Sequence, residues 1–254
     1  MKRLLFGTAI AVALGAAGSA AAADLPARAY TKAPVMVAPV YDWSGFYAGI
    51  NGGGGFSHKC WDLTSPLVVN AIAVPPGPEG CHDASGATFG GQIGYRWQSA
   101  AWVFGLEAQG NWADFRGDNI SLAIPTDRDQ SRIDAFGLFT AQVGYAWNNT
   151  LVYLKGGAAV TSDRYRIFDI PTGALTDTAD ETRWGGVVGV GFEYGITPNW
   201  SVGFEYDHMF MGSRDVSFTA FDGTFSGTDH IGQNVDLFTA RLNYRFGGPV
   251  VARY

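Results

Sequence analysis

From residue 43 onward, apolar and polar side chains alternate with a period of two. Successive side chains of a β-strand point to opposite faces, so this period predicts strands that separate two different environments. The segment nearest the C-terminus shows it most clearly. Its apolar face consists of Phe238, Ala240, Leu242, Tyr244 and Phe246, and its polar face of Thr239, Arg241, Asn243 and Arg245. Seven earlier segments repeat the alternation, and the pattern therefore predicts an all-β protein with eight strands.

The connections between these segments alternate in length. Three are short and carry turn-forming residues: 98–101, 147–150 and 195–199. Four are long: 58–86, 115–130, 166–181 and 211–233. Short turns on one rim and long loops on the other are typical of an antiparallel up-and-down barrel of the outer-membrane type. We therefore expect four exposed loops on one rim and both chain termini on the other.

The aromatic residues indicate which face of the barrel meets lipid. They stand at the ends of the apolar stripes, as in the interfacial girdles of membrane barrels. The predicted girdle consists of Trp97, Trp102, Trp147, Trp184, Tyr194, Trp200, Tyr244 and Phe246. The pattern thus predicts an eight-stranded antiparallel up-and-down transmembrane β-barrel with its apolar face outside. The alternative is a soluble, lipocalin-like barrel in which the apolar face points inward.

Charged residues on the polar faces would then lie inside the lumen. Five are basic and five are acidic: Arg96, Lys155, Arg183, Arg241 and Arg245, and Glu107, Asp134, Glu193, Glu205 and Asp207. Buried charges must be paired, and the equal numbers favour a salt-bridged plug. Eight strands leave just enough room for side chains. The alternative is a narrow porin for small solutes, in which the charges select ions.

The N-terminal segment has the features of an export signal. A basic start is followed by an apolar stretch and an Ala-rich cleavage site, so residues 1–23 are predicted to be a secretory signal peptide. Residues 24–42 contain three prolines and are expected to form an extended periplasmic lead-in. The barrel should span 43–246, followed by a tail over 247–254.

Composition narrows the range of functions. Charged residues make up 16% of the 254 residues and aromatic residues 14%, which excludes disorder for most of the chain. The formal charge of −6 argues against a nucleic-acid-binding protein, which would carry a basic face. The spacing of Gly186, Gly189 and Gly191 resembles a nucleotide loop, but no helix pattern follows it. No G-x-S-x-G motif is present. We therefore expect neither an enzyme nor a bound cofactor.

Two cysteines and three histidines are expected in the loops. Cys60 and Cys81 would form a disulfide in an exported protein. Together with His58 and His82 they could instead form a Cys₂His₂ zinc site. His58, His82 and His230 are candidate ligands for haem iron, which makes haemin capture a further hypothesis.

Two motifs resemble a known family. The segment Trp43-Ser44-Gly45-Phe46-Tyr47-Ala48-Gly49 is similar to the opening strand of the opacity-like porin family of Gram-negative outer-membrane proteins. The segment 242–246 resembles that family's closing strand. The resemblance implies a surface protein of the cell outer membrane, with outer-membrane lipid, lipopolysaccharide and the barrel-assembly machinery as partners. Members end in an aromatic residue that this machinery reads, and either Phe246 or Tyr254 would serve here.

Overall fold

The computed structural model describes residues 41–69 and 72–247. The predicted signal peptide, the lead-in up to residue 40 and Tyr254 lie outside the described residues. None of the residues that the structure describes forms a helix long and apolar enough to cross a bilayer.

The described residues form ten β-strands. These are β1 (Gly45–Leu63), β2 (Leu67–Val69), β3 (Ile72–Val74), β4 (Gly77–Ser99), β5 (Trp102–Ile120), β6 (Asp127–Trp147), β7 (Thr150–Asp169), β8 (Leu175–Gly195), β9 (Trp200–Ala220) and β10 (Phe225–Arg245). Eight of them close into an antiparallel barrel in chain order, β1 and then β4 to β10, with β10 pairing back to β1. β2 and β3 form a separate small hairpin. The predicted eight-stranded up-and-down barrel is confirmed. The ring of strands is closed, and the β8–β9 ladder is interrupted between the Thr178–Thr219 and Gly186–Phe210 pairs.

The three short turns also lie where the sequence places them. Residues 100–101 join β4 to β5, residues 148–149 join β6 to β7, and residues 196–199 join β8 to β9. Ala100 and Asn148 have positive φ angles of 55° and 53°. A two-residue hairpin turn needs this backbone conformation to match the twist of its strands.

The prediction of four long loops is wrong. The barrel strands contain 19 to 23 residues each, although about 10 tilted residues suffice to cross a bilayer. The strands continue through most of the supposed loops, and only residues 121–126, 170–174 and 221–224 connect three of the pairs. The fourth connection, between β1 and β4, contains the small hairpin. The outer face of these strand extensions is polar, as loops are, and for this reason the sequence pattern predicted loops there.

The orientation of the side chains agrees with a membrane barrel. Phe204 on β9 is 68% exposed on the outside, whereas its neighbour Glu205 and Arg241 on β10 are buried inside. The soluble alternative, with the apolar face inward, is therefore wrong for the part of the barrel that contains Phe204 and Glu205. The outward apolar side chains form a belt that we call the lipid band, which comprises residues 46–56, 87–97, 102–112, 137–147, 150–160, 184–194, 200–210 and 237–246.

Beyond the lipid band the same strands reverse their pattern. We call this part the upper barrel, and it comprises residues 57–63, 77–86, 113–120, 127–136, 161–169, 175–183, 211–220 and 225–236. Its outer face carries charged side chains such as Arg116 and Asp83. Its interior holds an aromatic and aliphatic cluster that consists of Trp61, Tyr165, Ala179, Val216, Phe218 and Ile231. The upper barrel thus follows the rule of a soluble protein.

Candidate functional site

The centre of the lumen is occupied by one arginine between two glutamates. The Arg241 guanidinium donates to Glu107 and to Glu205, which approach it from opposite sides of the barrel. Tyr153 Oη donates to Glu205 at 2.6 Å. Tyr47 Oη donates to Glu107, also at 2.6 Å. All five side chains are buried. The strands bring them together because each occupies an inward position at a similar level of the barrel.

Lys155 extends this network on the side of β7. Its Nζ lies 3.2 Å from Asp207 Oδ1 and also contacts Glu205. A second ion pair lies closer to the turn rim, where Arg96 Nη2 donates to Glu193 Oε2 at 2.8 Å. The Arg96 guanidinium also lies 4.4 Å from the centre of the Tyr47 ring, in cation–π geometry. Seven of the ten predicted lumen charges are thus brought together in the lipid band.

Two further predicted residues are buried elsewhere in the interior. Arg245 lies at the turn rim and donates to the backbone carbonyls of Ser44 and Pro198. Arg183 lies in the upper barrel, where it donates to the carbonyl of Ile231 at 2.9 Å. Neither joins the central network.

The assignment of Asp134 to the lumen is wrong. Its carboxylate lies on the outer face and pairs with Arg132 at 2.5 Å and with Arg164 at 3.3 Å. The register of β6 shifts between Ile133 and Ala135, which is a β-bulge. A bulge adds one residue and therefore reverses which side of the sheet the next position faces. The alternation on one side of the bulge therefore predicts the wrong face of the sheet for residues on its other side.

The sequence interpretation missed a buried ion pair higher in the barrel. Lys59 Nζ lies 2.9 Å from Asp163 Oδ1, and both side chains are 0% exposed. Both residues belong to strand extensions, but residues 58–86 were predicted to be a loop. The sequence does contain a sign of this pair, because Lys59 shares the inward face of β1 with the buried Trp61 and Leu63 at every second position.

An apolar layer separates the central network from the upper barrel. It consists of Ala84, Ala113, Phe115, Ile133, Phe136, Leu138, Ala159, Val187, Met209, Met211, Val235 and Leu237. The inward residues of β10 show the order of the layers. From the turn rim upward they are Arg245, Asn243, Arg241, Thr239, Leu237, Val235, Gln233, Ile231 and Asp229. The lumen is therefore filled by alternating polar and apolar levels.

The aromatic residues predicted to form the girdle point outward at the two edges of the lipid band. Trp97, Trp102, Trp147, Tyr194, Trp200, Tyr244 and Phe246 lie near the turn rim, and Trp184 lies near the opposite edge. Neighbouring rings pack on each other, as with Trp200 and Tyr244, whose centroids are 5.0 Å apart. Trp112 also points outward near the upper edge, although the sequence pattern assigned it only to the apolar stripe.

Cys60 and Cys81 form the predicted disulfide. They are direct partners across the β1–β4 ladder, so the bridge connects two strands of the upper barrel and not two points of a loop. His58 lies nearby, with Nε2 3.5 Å from Cys60 Sγ. His82 faces the interior and bonds to Asn119 and Ser131 at 2.6 and 3.0 Å. The alternative Cys₂His₂ zinc set is therefore not assembled.

The candidate haem ligands are also separated. His58 and His230 lie on the outer face, where each ring bonds to a carboxylate at 2.7 Å, Asp83 and Asp215 respectively. His230 pairs with Asp62, four residues along β1 from His58, which is about 13 Å at strand spacing. The haemin hypothesis gains no support from this arrangement.

Carboxylates collect at the open end of the upper barrel around a cavity of about 180 Å³. Glu79, Asp129 and Asp229 are the most buried of them. Desolvation, with the neighbouring carboxylates as the next contribution, raises the pKa of Asp129 and of Asp229 to about 8. Desolvation also raises the pKa of Glu79 to about 7. We call this space the acidic vestibule. The sequence interpretation did not find it, because its members fall in the segments predicted to be loops.

Comparison with known proteins places this arrangement in a family. The model of the outer membrane protein beta-barrel domain matches residues 8–246. The chain belongs to this family. Its location is the cell outer membrane, and the lipid band is the part that crosses the bilayer.

Two curated relatives share most of this outer-membrane barrel. The 31 kDa outer-membrane immunogenic protein of Brucella melitensis is 30% identical over 251 residues, covering 91% of this chain and 95% of that protein. The 22 kDa outer membrane protein of Rhizobium leguminosarum is 27% identical over 197 residues, covering 77% and 75%.

Solved outer-membrane proteins align with this chain at low sequence identity and with TM-scores below 0.5. The outer membrane protease OmpT from Escherichia coli gives a TM-score of 0.49 at 12% identity, covering 80% of this chain and 97% of that chain. At this level the likeness carries no inference about activity.

Proposed function

We propose that this outer-membrane barrel is a non-enzymatic structural surface protein whose lumen is closed by charge pairing. The observation that carries the proposal is Arg241, which bridges Glu107 and Glu205 across the lumen. An ion that crosses the barrel would have to displace this guanidinium from both partners. The strands anchor the protein in the lipid, and the upper barrel presents its charged outer face beyond it.

The energetics of buried charge favour a plug over a pore. Breaking a buried ion pair by removing one partner costs about 3–5 kcal/mol, because the remaining charge is left uncompensated. Opening a path would break several such pairs together, since Lys155 and Glu205 belong to the same network. An eight-stranded barrel encloses a space that side chains fill. Transient opening of this network is therefore too costly to support steady conduction.

The higher levels of the lumen support the same conclusion. The apolar layer that contains Phe115 and Leu138 offers no hydrogen-bonding partner to a hydrated solute. Above it, Lys59 and Asp163 form a second sealed ion pair. A solute would have to cross a charged level, then an apolar level and then a second charged level. The same packing argues against catalysis in the lumen, because a substrate has no access to these side chains.

Planar-bilayer recording of the refolded protein tests the closed lumen. We expect no channel events at any applied voltage. An Arg241→Ala variant removes the central cation and should show sporadic conductance, whereas Arg214→Ala, on the exposed outer face of β9, should match the unmodified protein. Steady conductance through the unmodified protein would contradict the proposal and support a narrow porin.

The opening motif supports a closer assignment to the opacity-like group. Trp43 is buried at the turn rim and packs on Tyr41, with ring centroids 4.5 Å apart. Gly45 has a φ of +123°, which L-residues rarely adopt. Tyr47 reaches inward to Glu107. The motif thus caps the barrel, and Phe246, which faces outward beside Phe46 at 5.7 Å, is the aromatic that we assign to the assembly machinery.

The proposed lipid partner is lipopolysaccharide, and an arginine patch supports it. The patch lies on the outer face of β5, β6 and β7, just above the lipid band, and lines a cleft of about 100 Å³ with Arg116, Gln130, Arg132, Arg164 and Arg166. Its carboxylate partners are Asp114, Asp134 and Asp180. Four arginines against three carboxylates leave a positive charge, and guanidinium groups bind phosphate in bidentate geometry.

Binding of purified lipopolysaccharide to the refolded protein tests this patch. Arg164→Gln together with Arg166→Gln should weaken the binding several-fold, and dephosphorylated lipopolysaccharide should bind equally weakly to both proteins. Arg214→Gln is the matched control on another strand. Unchanged affinity in the double variant would contradict the assignment.

A further inference from the structure

The acidic vestibule is built by alternate strands of the upper barrel. Glu79 on β4, Asp129 on β6, Asp177 on β8 and Asp229 on β10 contribute one carboxylate each, and Asp127 on β6 adds a fifth. Placing them on alternate strands distributes them around the mouth. The remaining wall includes Leu63, Ile124, Ile167, Phe218, Ser226 and Gly227. The site is therefore a ring of oxygen ligands in an apolar frame.

Several carboxylate oxygens of this ring are buried without a partner. Asp129 is 1% exposed, and its Oδ2 accepts no hydrogen bond from any described residue. Glu79 Oε2 and Asp177 Oδ1 are also buried and accept no hydrogen bond from a described residue. An unsatisfied buried acceptor costs the full desolvation of the group, and the cost is larger when the group is charged. Three such oxygens around one cavity point to a ligand that supplies positive charge.

The described part of the chain does not supply that charge. None of the described residues that line the cavity is basic. The floor of the vestibule is apolar, because Phe218 packs on Trp61 with ring centroids 5.5 Å apart. This floor belongs to the cluster that also contains Tyr165 and Ile231. Below it, Lys59 is already committed to Asp163.

We propose that the acidic vestibule binds a divalent metal cation, with Ca²⁺ as the preferred ion. Every polar group of the lining offers oxygen and none offers sulfur or imidazole nitrogen, which excludes the soft ligands that zinc prefers. Among the described residues, only His58, Cys60 and Cys81 bring three potential ligand atoms within 4.8 Å of one another, so water must supply part of the shell of an ion in the vestibule. Ca²⁺ accepts water among its six to eight oxygen ligands and has flexible coordination geometry.

Metal binding to the full refolded protein in detergent tests the proposal, with CaCl₂ as the ligand and Tb³⁺ as a luminescent substitute. Trp61 in the floor should sensitise Tb³⁺ emission on excitation of tryptophan, and Ca²⁺ should suppress that emission. Isothermal titration with CaCl₂ gives the affinity directly. A variant with Glu79→Gln, Asp129→Asn and Asp229→Asn removes three charges without changing the shape of the side chains. Its matched control is Asp215→Asn, an exposed carboxylate on the outer face.

We expect the triple variant to bind Ca²⁺ at least tenfold more weakly than the unmodified protein, and the control to bind it equally well. Heat-modifiable gel mobility establishes that each variant is folded. The single variant Asp129→Asn should give an intermediate loss if the triple variant does not refold. Trp61→Phe should abolish most of the sensitised emission and retain the calorimetric affinity for Ca²⁺.

Either of two results would overturn the proposal. One is the absence of Ca²⁺ binding to the unmodified protein at millimolar concentration, which would mean that protons alone neutralise the carboxylates. The other is equal affinity in the triple variant and the unmodified protein, which would place the bound ion elsewhere. Neither result bears on the closed lumen, which bilayer recording tests separately.

Discussion

The lipid band and the upper barrel are built from the same eight strands but follow opposite rules. In the lipid band Phe204 points outward and Glu205 inward. In the upper barrel the outward positions are polar, as at Asp83, and the inward positions include an apolar cluster, as at Trp61, beside the buried Lys59–Asp163 pair. Apart from bulges such as those in β6 and β9, the period of two continues through both halves, while the medium outside the barrel changes. Alternation therefore shows that a strand has two faces, and the surroundings decide which of them is apolar.

The two halves also use different interactions to fill their interiors. The lipid band encloses hydrogen-bonded ion pairs around Arg241, whose stability depends on complete pairing. The upper barrel encloses a cluster of packed aromatic and aliphatic side chains, whose stability depends on shape and on removal from water, together with the Lys59–Asp163 pair. This contrast predicts that the same kind of substitution has different consequences in the two halves.

The largest effect should come from the lipid-band interior. Arg241→Ala leaves Glu107 and Glu205 buried without their cation, and we expect the free energy of unfolding to fall by about 3–5 kcal/mol. Urea titration of the refolded protein in lipid vesicles measures it. Arg241→Met combined with Glu107→Gln and Glu205→Gln should restore most of the loss. If Arg241→Ala and Arg214→Ala behave alike, the ion network does not stabilise the barrel.

Truncating one isoleucine in each half should give the next largest effect. Ile231 is buried in the upper barrel, whereas Ile93 points outward in the lipid band. Ile231→Ala should cost about 3 kcal/mol, because it leaves a cavity as well as losing transfer free energy. Ile93→Ala should cost roughly half as much, because lipid tails occupy the space. Equal losses in urea titration would show that the upper interior is not tightly packed.

The disulfide should matter only for the upper barrel. Cys60 and Cys81 are separated by 21 residues, and closing a loop of this size contributes up to about 3 kcal/mol in the chain-entropy model. We expect a loss of about 2–3 kcal/mol in a variant with both cysteines changed to serine, because the bridge restricts the unfolded chain, in which the β1–β4 ladder is absent. Limited proteolysis should cut near residues 64–76 faster in this variant. Faster cleavage at the short turns instead would place the effect in the lipid band.

The smallest expected effect is a dependence of upper-barrel stability on the protonation of His82. Burial lowers the pKa of His82 below the ordinary value of 6.5, although Asn119, Asp118 and Asp83 oppose this shift. Lys59 adds to the lowering. Below pH 6.5 the unfolded chain therefore binds a proton at His82 that the folded chain excludes, and this contribution to stability is lost as the pH falls. The raised pKa values of Glu79, Asp129 and Asp229 act in the opposite direction, so the effect of His82 is the difference between the unmodified protein and His82→Asn. Between pH 6.5 and pH 5, protection factors of β4 amides in the upper barrel, corrected for the slower chemical exchange at lower pH, should change less favourably in the unmodified protein than in His82→Asn. An equal pH dependence in the two proteins would contradict a role for His82.

The alternation of residues along the chain is enough to predict the number of strands in the barrel, their order, the short turns and the outward apolar face of the lipid band. This is possible because side-chain direction is a local property of a strand. The alternation does not predict the small hairpin of β2 and β3. Which charges meet depends on the folded barrel. Arg241 and Glu107 are 134 residues apart, and the tilt and closure of the barrel bring them to one level. The bulge that turns Asp134 outward, the Lys59–Asp163 pair and the acidic vestibule depend on the same non-local geometry. The strand segments of the upper barrel were predicted to be loops because their outer face is polar. The period of two does not indicate whether lipid or water surrounds a strand.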